Sequence, residues 1–161
     1  MSHVAKLSLE IKDLDALEKA AETLGLRLVR GQKTYAWWGR SVGDYPLPEG
    51  FSKADLGHCE HALVQVDDKG QIIPGVSGWG NDARWEIGVC ARRDGKPGYE
   101  LLWDFYNGGK GLAERVGGEK ASRLQQEYAK EVLTKEARKK GFTLVSCELV
   151  NGKLQGKFIQ A

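Results

Sequence analysis

The sequence predicts one α+β domain over residues 1–161: an antiparallel-rich sheet with two helices on one face, a β-α-β opening, and a carboxy-terminal helix followed by a β-hairpin. Three observations predict it. Residues 4–12 alternate apolar and polar side chains, and helical spacing then takes over. Residues 119–140 carry the longest helical period in the chain. Asn151-Gly152 sits between two alternating runs, which is the strongest two-residue hairpin signal.

The elements follow in order. Leu7, Leu9 and Ile11 mark one face of the first strand. Asp13 is a helix cap, with Asp15 and Glu18 as an alternative capping box. Leu14, Leu17, Ala21 and Leu24 form the apolar stripe of the first helix, and Gly25 ends it. Residues 26–29 begin a second strand. Residues 31–57 are irregular, with a short strand expected around residues 34–38 and a long loop after it. Residues 61–67 form a short apolar strand, with Ala62, Val64 and Val66 on one face. Residues 74–82 return to loop.

Residues 85–92 and 99–105 are read as an antiparallel pair joined by a turn-forming linker. Pairing Arg92 with Tyr99 sets Asp104 opposite Ile87. Residues 107–118 are a glycine-rich connection. In the long helix, Ala121, Leu124, Tyr128, Val132 and Ala137 share a stripe, and the basic residues Lys135, Arg138, Lys139 and Lys140 suit its carboxy-terminal end. The final hairpin then sets Leu149 opposite Leu154, Cys147 opposite Gly156 and Val145 opposite Phe158.

Composition narrows the function. A 41% apolar, 29% charged chain is globular, and a net charge of +2 demands neither a nucleic acid nor a membrane. The three cysteines are too few and too scattered for a disulfide framework. With no apolar run of signal or membrane-span length, the expected compartment is the cytosol, with no membrane partner.

Order and wording of several motifs resemble a known family. They are Trp85-Glu86-Ile87-Gly88, Tyr99-Glu100-Leu101-Leu102-Trp103-Asp104, Gln126-Glu127-Tyr128-Ala129, and Glu136-Ala137-Arg138-Lys139-Lys140-Gly141-Phe142 before the last hairpin. The chain resembles, over nearly its whole length, an uncharacterised family of hypothetical plastid reading-frame proteins. That family also occurs in cyanobacteria, other bacteria and tailed phages. Thr34-Tyr35-Ala36-Trp37-Trp38-Gly39-Arg40 and Gly57-His58-Cys59-Glu60-His61-Ala62 are most like its phage and bacterial branch. The resemblance implies no catalytic residues. It implies a context, because relatives are often encoded near ATPases of the AAA type, which makes such an ATPase a possible partner.

Five constellations bear on chemistry. Cys59, His61 and Cys90 are the residues a metal would use, but one cluster without a second ligand pair falls short of a zinc site, so no metal or other cofactor is expected. The same thiols flank apolar strand residues, where they are usually inert. Glu86, Glu100 and Asp104 lie on neighbouring strands, which suits either acid-base chemistry or solvated ion pairs. Asn107-Gly108-Gly109-Lys110 is either an anion-cradling loop or a plain turn; it lacks the Walker spacing. Tyr35, Trp37, Trp38, Arg40 and Tyr45 sit in irregular chain and match the composition of interface hot spots. They also match a base-stacking surface. The expected function is therefore a non-enzymatic accessory or adaptor protein that binds another protein. The alternative is a nucleic-acid or nucleotide binder using the aromatic loop with Asn107 and Lys110.

Overall fold

A computed structural model describes residues 2–151 and 153–160. The β-α-β opening is β1 (Val4–Ile11), α1 (Leu14–Thr23) and β2 (Leu26–Arg30). Then come β3 (His61–Gln65), β4 (Ile87–Ala91) and β5 (Tyr99–Asp104), followed by α2 (Leu112–Val116), α3 (Ser122–Lys139) and the strands β6 (Phe142–Val150) and β7 (Lys153–Gln160). The α+β class is as the sequence predicts.

The first five strands make one antiparallel sheet in the order β1-β5-β4-β3-β2. β1 and β2 are thus opposite edges, and α1 carries the chain across the sheet between them. Asp13 caps α1 by accepting from the Ala16 N–H at 3.1 Å. Asp15 and Glu18 form no capping box; both pair with Arg30 of β2.

Alternation along each strand sorts side chains onto two faces. Leu7, Ile11, Leu26, Leu28, Leu63, Ile87, Val89, Leu101 and Trp103 point to the face packed by α1, α2 and α3. Val4, Ala62, Val64, Cys90 and Leu102 point to the other face, which Tyr35, Phe51 and Leu56 cover. The irregular segment after β2 is therefore a structural layer. Its expected strand around residues 34–38 reduces to a single bridge between Thr34 and His58. A layer without a ladder satisfies its backbone piecemeal, with Tyr35 N–H donating to the Gly57 carbonyl and Glu86 N–H to the Ala36 carbonyl, each at 2.9 Å.

Other expectations shift by small amounts. Ala91, not Arg92, pairs with Tyr99, so the β4–β5 register moves by one residue. The extra residue goes into the turn, where Arg92 N–H donates to the Gly98 carbonyl. The long helix begins at Ser122, because Ala121 before it is left-handed at φ 51°. The glycine-rich connection contains a short helix, α2. The carboxy-terminal hairpin stands apart as a two-stranded sheet against α3. Leu149 faces Leu154 and Cys147 faces Gly156 as expected, but Leu144, not Val145, faces Phe158. The pairing is interrupted between Leu144 and Ser146, which leaves Val145 as the extra residue of a bulge. Gly152 of the expected turn lies outside the described residues.

Among the described residues no helix is long and apolar enough to cross a membrane.

Candidate functional site

Three segments meet beyond the carboxy-terminal end of β5. His3 arrives from the amino terminus, Trp38 and Tyr45 from the layer covering the sheet, and Phe105 and Tyr106 directly from β5. Asp104, fully buried, ties them together. Its Oδ1 accepts the backbone N–H of His3 at 3.0 Å and of Tyr106 at 3.1 Å, and its Oδ2 accepts that of Trp38 at 3.3 Å. Burial raises the pKa of Asp104, and the three donors oppose that rise.

Above this knot the rings form a continuous aromatic surface. Trp38 stacks on Trp79 with centroids 5.4 Å apart and planes at 23°, and Tyr106 lies 5.4 Å from Trp79 and 5.5 Å from Trp38. His3 stacks on Tyr45 at 4.8 Å, and Phe105 meets Tyr45 edge-on at 5.4 Å. Trp79 is 43% exposed and Tyr45 36%. The Lys110 ammonium lies 4.0 Å from the centre of the Trp79 ring, a cation–π contact.

The glycine-rich loop makes that contact possible. Residues 107–110 all have positive φ, with Asn107 at 47° and Lys110 at 52°. Glycine and asparagine tolerate such a turn, and a lysine there is strained. A side chain at Gly109 would be crowded, since a Cβ would lie 3.0 Å from the Asp104 carbonyl oxygen and 3.2 Å from the Trp103 ring, at a positive φ of 62°. The Lys110 carbonyl is held by Gln65 Nε2 at 3.0 Å.

The residues expected to bind are divided by the fold. Tyr35 is only 2% exposed, with its ring over Gly88 and its hydroxyl unpartnered, so it belongs to the layer beneath the sheet. Trp37 and Trp38 turn to opposite sides. Trp37 packs against the layer under the sheet, and Trp38 packs against the helix-side core. Arg40 is exposed in the turn between Trp38 and Tyr45, and Asn107 is exposed beside Lys110. Trp38, Tyr45 and Lys110 therefore join one surface. Trp79, Tyr106 and His3 complete it, and sequence reasoning missed them. The available signal for Trp79 was an indole between two glycines in a polar loop.

The thiols and His61 are each engaged separately. Cys59 donates to the Gln32 carbonyl at 3.2 Å and Cys90 to the His58 carbonyl at 3.4 Å. Burial pushes Cys59 up to about 12 and Cys90 higher still. His61 Nδ1 accepts the Gly31 N–H at 2.9 Å, and burial beside Lys33 and Arg30 lowers its pKa. Among the described residues no group of three His, Cys, Asp or Glu side chains converges as a metal site.

No family model, curated protein or solved structure matches this chain at a significant level.

Proposed function

We propose that this chain is a non-enzymatic accessory protein of a phage or bacterial cytosol that binds a protein partner through the aromatic surface around Trp79. One observation carries the reading: a 43% exposed indole, backed by Trp38 and Tyr106, with the Lys110 ammonium across its ring. An exposed aromatic that is already stacked loses little freedom on binding, and burying it against a partner removes a large apolar area from water. Tyr45, stacked on His3, extends the surface, and the exposed Arg40 in the same segment is of a residue type common at binding hot spots. The non-enzymatic reading draws on the thiols, which are protonated and hydrogen-bonded at neutral pH. The family resemblance makes an AAA-type ATPase the first partner to test.

A second reading, nucleic-acid or nucleotide binding, is favoured by the same pair seen differently. If the Lys110 ammonium leaves the ring to meet a phosphate, the face of the indole it frees can take a base. Salt separates the two readings, since phosphate contacts weaken steeply with ionic strength and an apolar protein interface does not.

The test is affinity capture from the native host, read by mass spectrometry, with the wild type and Trp79→Ala side by side. Trp79→Ala should stay folded, with melting changed little, and lose the captured partner. A double variant Trp79→Ala, Tyr106→Ala that remains folded and captures the same proteins would reject this surface. Capture abolished by moderate salt together with recovery of nucleic acid would favour the second reading.

A further inference from the structure

We infer that the pocket over Glu86, on the Trp37 side of the covering layer, binds a cationic nitrogen group: a guanidinium or a primary ammonium. The pocket measures about 320 Å3, near the lower limit of ligand sites and ample for one side-chain head. Thr34, Trp37, His58, Gly75, Ser77 and Glu86 are among its lining residues. It is separate from the aromatic surface, because Trp37 and Trp38 lead to different sides of the same strap.

Glu86 is the unusual feature. Its side chain is buried, with only 6% of the residue exposed. Oε1 is fully employed, accepting the Ala36 N–H at 2.9 Å and Gln32 Nε2 at 3.1 Å. Those donors fix the carboxyl group in place. Oε2 accepts no hydrogen bond among the described residues, yet it is not one of the sealed, unpartnered atoms as Glu100 Oε2 is. No lysine or arginine forms an ion pair with Glu86 among the described residues, in contrast to Glu100 with Lys6 or Asp13 with Lys135. A mostly buried carboxylate held on one oxygen, with its other oxygen accessible and no counter-ion, gains from a cation that pairs with that second oxygen.

Gly75 packs directly against the Glu86 carboxyl group. This glycine is exposed, and a Cβ there would overlap the Glu86 carboxyl group. Only a glycine lets the chain pass this close to the carboxyl. Ser77 Oγ, held by the Trp37 N–H at 3.2 Å, adds a second acceptor in the wall. The Trp37 indole supplies an aromatic surface, which favours a cation over a neutral group. A carboxylate, a hydroxyl and an indole around a small opening select for positive charge with several N–H donors.

The inference does not depend on the aromatic surface, and the experiment keeps the two apart. The full chain is titrated with methylguanidinium and with N-acetyl-arginine-methylamide, followed by the indole N–H resonance of Trp37 in NMR spectra. The neutral isostere N-acetyl-citrulline-methylamide is the control. Saturable shifts are expected with both cations and not with the neutral compound, and Trp79→Ala should leave them unchanged. Equal affinity for the two cations identifies a site for a free small cation. Tighter binding of the capped residue identifies a site for a side chain on a partner. Glu86→Gln preserves an oxygen for the Ala36 N–H and should weaken binding by about tenfold or more, as loss of a charge-assisted hydrogen bond requires. Absence of any shift in the wild type overturns the inference, as does equal response to the neutral isostere. Those two outcomes hold even if Glu86→Gln fails to fold.

Discussion

Asp104 shows how one buried side chain can organise a surface. Its two oxygens hold three backbone amides from three separate segments, and the rings that follow those amides form the aromatic platform. Its pKa lies above the ordinary carboxylate value because burial outweighs those donors. The folded state therefore holds the proton more tightly than the unfolded state. Stability from this group is greatest at low pH, falls as pH rises from the unfolded value through the folded one, and is level above it. Asp104→Asn should remove that fall. The variant should also be less stable at neutral pH by about 1–3 kcal/mol, because an amide cannot accept on both sides and one backbone N–H is orphaned. Melting curves of both proteins over the acidic range test this. The wild-type advantage should widen toward low pH, and a difference that stays constant or shrinks there would contradict the raised pKa of Asp104. The tryptophans divide at the same scale. Trp85 is fully buried, and Trp85→Ala should cost about 3–5 kcal/mol, whereas Trp79→Ala at the surface should cost little.

At the scale of elements, the attachment of α3 is decided by one hydroxyl as much as by its apolar stripe. Leu124 and Tyr128 fill the space against α1 and the sheet. Tyr128 Oη accepts the Lys12 N–H at 3.0 Å and the Asp13 N–H at 3.2 Å, just where β1 gives way to α1. Lys135 adds an ion pair to Asp13 at 2.7 Å, which lowers the Asp13 pKa. Tyr128→Phe leaves two backbone donors without an acceptor and should destabilise by about 1–3 kcal/mol. Lys135→Ala, at an exposed pair, should cost well under about 1 kcal/mol. Denaturant titration of both variants gives the comparison, and equal losses would mean that the hydroxyl does not anchor the junction. The helix and its stripe were legible in sequence because they follow from periodicity. The hydroxyl's partners were not, because Lys12 and Asp13 are distant in the chain.

Across the whole molecule, stability should be uneven. β3, β4 and β5 are covered on both faces. The β6–β7 hairpin rests mainly on α3 and leaves Phe142, Val145, Leu149, Phe158 and Ile159 exposed. A two-stranded hairpin depends on its support, so it should open without the rest unfolding. Amide hydrogen exchange should show the β6 and β7 amides exchanging well before those of β4. Uniform protection across both sheets would contradict this. The same architecture explains what could be read and what could not. Periodicity, the Asp13 cap and the Asn151-Gly152 signal are local, so the sequence alone specified the α+β class, the helices α1 and α3 and the hairpin partners near its turn. Their physics acts between residues a few positions apart. The role of residues 31–57 is not local. The helices cover only one face of the sheet, and the other face had to be covered by whatever chain remained. That demand turned Tyr35 from a surface candidate into core. It also decided which core each of Trp37 and Trp38 joins, and placed Trp79 and Lys110 together from segments about thirty residues apart. Only the tertiary structure decides such meetings, because they depend on which face each strand presents after the sheet has formed.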